Sequence, residues 1–248
     1  MRKKTKMILI SILAVVLLLA IAYRYSSKRV EFYGFYDKVW AHRVNDLKKL
    51  ESSEACFKGI ELDLLYQKEG DWLEVNHPPA PSTGLSFQEY VSHINNKNMG
   101  IWLDLKNLTV TNQQAVFKRV DNNITSAEIN RGQIIIESSQ PKLLSIFQDK
   151  GYRVSYYLPI NLHQKTEKEL GKSLQEIKEQ IQNQPDLELS SDFNDYAVIA
   201  KHFPKRKKNF WVMHSPYSIK IIKNYKTLRK MLQDSTVQTV LTPYNNWN

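Results

Sequence analysis

Eight short apolar runs, each bounded by polar and helix-permissive stretches, set the strongest limit on what this chain can fold into. They lie at residues 31–41, 59–66, 100–105, 133–138, 153–158, 196–200, 210–214 and 237–242. Helical spacing occupies the gaps at 46–54, 86–95, 113–122, 140–150, 170–182 and 218–233. Strands that alternate with helices need crossover connections, which build a parallel sheet covered by helices. Eight such units over about 210 residues fit an α/β fold closed as a (β/α)8 TIM barrel, with an open doubly wound sheet as the second choice. The sixth unit is the most weakly marked, because residues 190–196 show little helical pattern. Ser86 followed by Glu89 has the form of a capping box at the start of the second helix.

The N-terminus obeys a different rule. Residues 7–23, MILISILAVVLLLAIAY, carry no charge. As a helix they would be about 25 Å long, near the short limit for crossing a bilayer. Arg2, Lys3, Lys4 and Lys6 precede the run, and Arg24, Lys28 and Arg29 follow it. Basic residues before such a segment favour a cytoplasmic N-terminus. The expected organisation is a basic cytoplasmic tail at 1–6, a transmembrane signal-anchor at 7–23, a polar linker at 24–31 and a barrel domain at 32–248. Ala20-Ile21-Ala22 also has the small-x-small form of a cleavage site, so a signal peptide with secretion of the domain is the alternative.

Composition matters mainly through charge. The net charge is +10, which taken alone points to nucleic acid, an anionic surface or a phosphorylated ligand. Seven of the positive charges lie in the first thirty residues, where there is no acid, so +3 remains on 31–248. The excess therefore describes membrane topology, and no nucleic-acid motif accompanies it. A single cysteine, Cys56, excludes an internal disulfide framework and any multi-cysteine zinc site.

In a barrel, reactive groups stand at the C-terminal ends of the strands. The first run ends in Trp40-Ala41-His42-Arg43, and the second contains Glu61-Leu62-Asp63. The extension 72–76 leads to His77-Pro78-Pro79, the third run ends in Asp104-Leu105-Lys106, and the fourth ends in Glu137. Glu61 and Asp63 are two apart in a strand and share a face. If that face is the barrel interior, the two carboxylates repel unless a proton or a cation intervenes. With Asp104 they form a set of hard oxygen donors suited to Mg2+ or Ca2+. The plainer reading is a pair of outward, solvated acids. His42 and His77 can divide acid and base work, and Arg43 and Lys106 can hold a phosphate. Taken singly, each of these four is as well explained by a structural or surface role.

Taken together, His42-Arg43, Glu61-x-Asp63, His77 and Asp104-x-Lys106 resemble the glycerophosphodiester phosphodiesterase family of the phospholipase-C-like phosphodiesterase superfamily. The segment Thr239-Val240-Leu241-Thr242-Pro243-Tyr244 is similar to that family's last strand. The resemblance implies a TIM barrel of that type. It implies a divalent metal at Glu61, Asp63 and Asp104, acid and base roles for His42 and His77, and phosphate contact by Arg43 and Lys106. Trp40-Ala41-His42-x-Val44-Asn45, His77-Pro78-Pro79 and Gly100-Ile101-x-Leu103-Asp104-x-Lys106 are more similar still to the menorin-like group. Three features depart from the phosphodiesterase pattern: Val44 follows Arg43 where glycine is usual, the usual proline-glutamate-asparagine segment soon after is replaced by Asn45-Asp46 alone, and Asp104 stands where glutamate is usual.

The expected function is a membrane-anchored, extracytoplasmic, metal-dependent hydrolase of a glycerophosphodiester or related phosphodiester, in a lipid headgroup or an envelope polymer. The alternative is a catalytically silent barrel that binds a ligand at the cell surface. Asn45, Glu137 and His214 are further candidates for substrate contact, and Tyr244 and Trp247 either close the pocket or pack in the core. The basic runs at 201–208 and 220–230 read as solvated faces or as contacts to anionic headgroups.

Overall fold

The computed structural model describes residues 3–25, 28–212 and 219–244. In chain order the elements are α1 (Lys3–Tyr25), β1 (Val39–His42), α2 (Leu47–Glu54), β2 (Gly59–Gln67), β3 (Trp72–Val75), α3 (Phe87–Ser92), β4 (Gly100–Leu105), α4 (Gln113–Ser126), β5 (Ile134–Ser138), α5 (Ser145–Gln148), β6 (Arg153–Tyr157), α6 (Glu167–Ile181), β7 (Glu188–Asp192), α7 (Tyr196–His202), β8 (Lys208–Trp211), α8 (Ile219–Gln233) and β9 (Val237–Pro243). The sheet runs β1-β9-β8-β7-β6-β5-β4-β2, and β1 also pairs with β2, which closes the ring. All eight of these strands pair in parallel. The remaining strand, β3, forms an antiparallel hairpin with β2. The architecture is the expected α/β barrel.

Side-chain alternation explains how so polar a set of strands closes. Ile60, Leu62, Leu64, Ile101, Leu103, Ile134 and Ile136 join the apolar layer shared with the helices. The opposite faces turn inward, where Trp40, Trp102, Ile135, Trp211 and Leu241 form a separate apolar cluster. The Trp40 indole lies across the first residues of β2 and β4. A Cβ at Gly59 or Gly100 would stand 2.3 Å from that ring. Glycine at these two strand starts is the condition for seating a tryptophan inside the barrel.

Four expectations need correction. Residues 196–200 form helix α7, and the seventh strand of the chain is Glu188–Asp192. The run Tyr-Ala-Val-Ile-Ala is apolar enough for either element, and a short apolar run has no period to decide it. The true strand was masked by Ser190, Ser191 and Asp192. The first strand is shorter than expected, Val39–His42, because Gly34 at φ 85 turns the chain and short 3-10 turns occupy Val30–Phe32 and Tyr36–Lys38. The helix expected over 140–150 is a 3-10 turn, Pro141–Leu144, running into the single turn α5. At the start of α3, Ser86 accepts from the Glu89 amide, giving the forward half of the capping box. The full reciprocal box belongs to Thr166 and Glu169 on α6.

Within the basic run 201–208, Lys201, Lys205 and Lys207 are exposed as a solvated face requires, while Arg206 and Lys208 are structural. Arg206 donates to the carbonyls of Gln184, Pro185 and Ile181, tying down the turn after α6. Lys208 is buried and donates to Arg206 O at 2.7 Å and Thr236 Oγ1 at 2.6 Å. Ahead of the barrel, Arg29 and Glu31 are buried, and Arg29 donates to Thr242 on β9.

Helix α1 is continuous, and its described side chains, residues 4–20, are all exposed, Leu13 by 70%. Among the described residues no helix is long and apolar enough to cross a membrane. The side chains of 21–25, the first three of which complete the apolar run, lie outside the described set.

Candidate active site

The C-terminal ends of the strands meet around one cavity of about 310 Å³. His42, Arg43, Glu61, Asp63, His77, Asp104, Lys106 and Glu137 all line it. Register explains the convergence. Asp63 on β2 is the partner of Asp104 on β4, and Asp104 is the partner of Glu137 on β5. Partners in a sheet point to the same face, so a single row presents three carboxylates to the interior. Glu61 stands one layer deeper on β2. Ligand oxygens of Glu61, Asp63 and Asp104 lie within 4.8 Å of one another, and all three residues are buried.

Three buried carboxylates in that space are costly without compensation. Burial, with Asp63 and Asp104 adding repulsion, pushes the Glu61 carboxyl well above the usual carboxylate range. Burial also raises Asp104, against the opposing pull of Lys106. Lys106 contacts Asp104 and lies 2.7 Å from Asp63 Oδ1. Burial alone would lower the Lys106 ammonium, but the two carboxylates outweigh it and hold it above its ordinary value. One ammonium therefore faces three acids. The hard oxygen donors and the uncompensated repulsion both fit a divalent cation among Glu61, Asp63 and Asp104.

The histidines come from different elements. His42 ends β1, with Nε2 3.6 Å from Glu61 Oε2. Burial, followed by the Arg43 charge, lowers its pKa to about 3, so its ring is neutral at pH 7. His77 follows β3, and its Nε2 accepts from Arg43 Nη2 at 3.1 Å. Arg43 takes a left-handed backbone, φ 54, which turns its amide onto Glu61 Oε2 at 2.7 Å. That conformation strains a non-glycine residue. It is held by Val44 N on Glu61 O at 2.8 Å and by the Lys49 ammonium, which donates to His42 O at 2.8 Å and Arg43 O at 2.6 Å.

The other expected residues separate. Asn45 stands behind the site: its Nδ2 donates to Asp63 Oδ2 at 2.6 Å, and its Oδ1 accepts from Asp63 N at 3.0 Å. It orients a carboxylate and is not among the cavity's lining residues. Glu137 lines the cavity, is buried, and accepts from Ser190 Oγ. Burial and the Asp104 charge push its carboxyl well upward. Of its two readings Tyr244 takes the core one, packed edge-on against Phe57 with centroids 5.0 Å apart. His214 and Trp247 lie outside the described residues. Sequence reasoning missed Tyr157, Ile160, Asn161, Asp192, Asn194, Trp211 and Leu241, which complete the lining. Asp192 ends a strand like the other acids and became visible only once β7 was placed correctly.

No family model and no curated protein matches the sequence. Solved structures do match in fold. A glycerophosphodiester phosphodiesterase from Parabacteroides distasonis superposes with a TM-score of 0.54 at 16% identity, over 84% of this chain and 93% of that one. A phosphodiesterase from Oleispira antarctica, in complex with the product sn-glycerol-3-phosphate, gives 0.56 at 11% identity, over 86% of this chain and 95% of that one. The chain thus shares the barrel fold of these phosphodiesterases.

Proposed function

We propose that this chain is a divalent-metal-dependent phosphodiester hydrolase acting on a glycerophosphodiester or a related diester, and that it belongs with the menorin-like branch of its superfamily. The observation that carries the reading is the convergence of Glu61, Asp63, Asp104, His42, His77, Arg43 and Lys106 on one cavity at the strand ends. Such a set has no role in barrel closure, where apolar side chains would serve better.

Glu61, Asp63 and Asp104 would hold the cation, with Mg2+ or Ca2+ favoured by an all-oxygen donor set. When bound, it supplies positive charge that draws in the phosphate and stabilises the charge developing on its oxygens. Arg43 and Lys106 bind the remaining phosphate oxygens. A hydroxyl, from water or from the substrate's neighbouring carbon, attacks phosphorus. The neutral His42 ring takes its proton as the new P–O bond forms. Arg43, on turning to the phosphate, frees His77 Nε2 to take up a proton from solvent, and the resulting imidazolium delivers that proton to the alcohol oxygen as the old P–O bond breaks. Attack by the neighbouring hydroxyl gives a cyclic phosphate, as the superfamily likeness suggests. The Val44 departure falls beside this chemistry, and the Asp104 departure keeps a carboxylate at the position of the cation.

We further propose that α1 is retained as a single-pass anchor, with residues 1–6 cytoplasmic and the barrel outside the membrane. The uncharged run 7–23 and the exposure of the described α1 side chains support this. Secretion after cleavage is the competing outcome, separated by the N-terminal sequence of the mature protein. The enzymatic reading is tested by screening the full chain in detergent against phosphodiesters with Mg2+ or Ca2+. Turnover abolished by EDTA and restored by the metal is expected, and turnover indifferent to EDTA contradicts it.

A further inference from the structure

His77 is set differently from the other groups of the site. His42, Glu61, Asp63 and Asp104 stand on parallel strands of the barrel, whereas His77 lies beyond the end of β3, in the loop that leads to α3. Residues 78–84 of that loop are all exposed, so the burial of apolar side chains does little to order it. A functional side chain on such a loop is aimed only as well as the groups that hold the loop.

A buried carboxylate holds this one. Glu74 on β3 is buried, and it is not among the cavity's lining residues. Its Oε1 accepts from Ser82 Oγ, from Thr83 N at 3.2 Å and from Gly84 N at 3.4 Å. Its Oε2 accepts from Gln67 Nε2 on β2 at 2.5 Å. Gly84 offers its amide from a left-handed backbone, φ 72, which favours glycine. Burial draws the Glu74 carboxyl upward, but the bonds from Ser82, Gln67, Gly84 and Thr83 outweigh it and hold it below its ordinary value, so it is charged at pH 7. Below these bonds, Val75 N on Leu85 O at 2.9 Å closes the base of the loop. On the outgoing arm, Asn76 N donates to Asp63 O at 3.1 Å and Ala80 N to His77 O at 3.0 Å.

Resting on the reading of His77 as the group that protonates the leaving alcohol, we propose that Glu74 is a positioning residue for that proton transfer: its carboxylate clamps the returning arm of the loop and so holds His77 in the cavity wall. Proline carries the constraint from one arm to the other. Pro78, Pro79 and Pro81 fix φ along the span between His77 and Ser82, so the clamped arm and the histidine cannot move independently. Pro78 also confines the His77 backbone to extended conformations. A two-stranded hairpin has no need of a buried charge, which is unfavourable unless hydrogen bonds surround it. Here all but one of those bonds come from the loop. The clamp matters most when Arg43 turns to the phosphate, because the His77 ring then loses its Arg43 contact and depends on the loop for its place.

A double-variant cycle on the full chain with Mg2+ and bis(nitrophenyl) phosphate tests this, each variant being assayed below its melting temperature. Glu74→Ala should lower kcat by about 10- to 100-fold with little change in KM, the scale of a misplaced catalytic group. In a His77→Ala background the same substitution should cost less than about twofold, because its effect runs through that ring. Equal losses with and without His77 overturn the proposal and leave Glu74 a part of the fold alone. Ser82→Ala removes one bond from the exposed side and should show the same dependence on His77 at smaller size, so the cycle can be closed even where Glu74→Ala does not fold. If no diester is turned over, or His77→Ala is undiminished, the phosphodiesterase reading fails, and NMR relaxation of the His77 ring carbons decides the clamp. A ring that is rigid in the parent chain and mobile in Glu74→Ala or Ser82→Ala upholds it, and equal rigidity contradicts it.

Discussion

Asp63 and Asp104 face each other in register across β2 and β4, two carboxylates in one layer of the barrel interior. Lys106 lies against both, and Glu61 completes a buried cluster of acids whose charges exceed that single ammonium. The cluster sets how stability and metal binding should vary with pH.

The Glu61, Asp104 and Glu137 carboxyls are raised above their unfolded values by burial first; Asp63 and then Asp104 add to it at Glu61, Asp104 adds to it at Glu137, and at Asp104 the pull of Lys106 opposes it. A raised folded pKa gives stability that is complete below the unfolded pKa, about 4, and is lost as pH rises towards the folded one. The metal-free protein should therefore melt at falling temperature as pH increases above that point. Mg2+ or Ca2+ must displace those protons, so the stabilisation by metal should grow from pH 5 to pH 8. Thermal melts with metal and with EDTA at each pH check this. A metal effect that does not change with pH contradicts it.

Asn45 holds Asp63 by a reciprocal pair of hydrogen bonds. Asn45→Ala should weaken metal affinity by about 10- to 100-fold, the usual effect of removing a group that orients a ligand. Calorimetric titration with the metal reads this without any substrate. Unchanged affinity would show that Asp63 is oriented without it.

The Lys49 ammonium is bound to the carbonyls of His42 and Arg43 and holds the turn that aims both residues. Burial lowers its pKa, so the turn holds this charge against a desolvation cost. Lys49→Met keeps the aliphatic stem, removes both charge-assisted hydrogen bonds, and should lower kcat by at least about tenfold. KM should move less than kcat. A change in KM alone would place Lys49 in substrate binding.

Gly100 leaves room for the Trp40 ring, and an added methyl would have to displace it. Gly100→Ala should cost about 1–3 kcal/mol, as overpacking usually does. Trp40→Leu in the same chain should recover part of that loss. Denaturant melts of the single and double variants check this, and additive effects would mean that the two positions do not compete for the same space.

Legibility in the sequence followed one rule. His42, Glu61, Asp63, Asp104 and Lys106 stand out because each interrupts or ends an apolar strand, where a polar side chain has no packing reason to be. The other residues of the cavity wall lacked that contrast. Ser190 and Asp192 break the strand that carries them, while the apolar run at 196–200 imitates one and is helix α7. Tyr157 and Trp211 read as ordinary core aromatics, since stacking at a cavity mouth leaves no trace in spacing. Asn45 was recognised as belonging to the site, but only three-dimensional pairing shows that it serves Asp63.

The central claim is that His42 and His77 transfer protons in a metal-dependent cleavage of phosphodiesters. The most direct measurement is turnover of a chromogenic diester by the full chain with metal, beside His42→Ala and His77→Ala at equal melting temperature. Losses of about 10²- to 10⁴-fold in both variants are expected for removal of a general acid or base. Undiminished turnover in either variant would contradict the account.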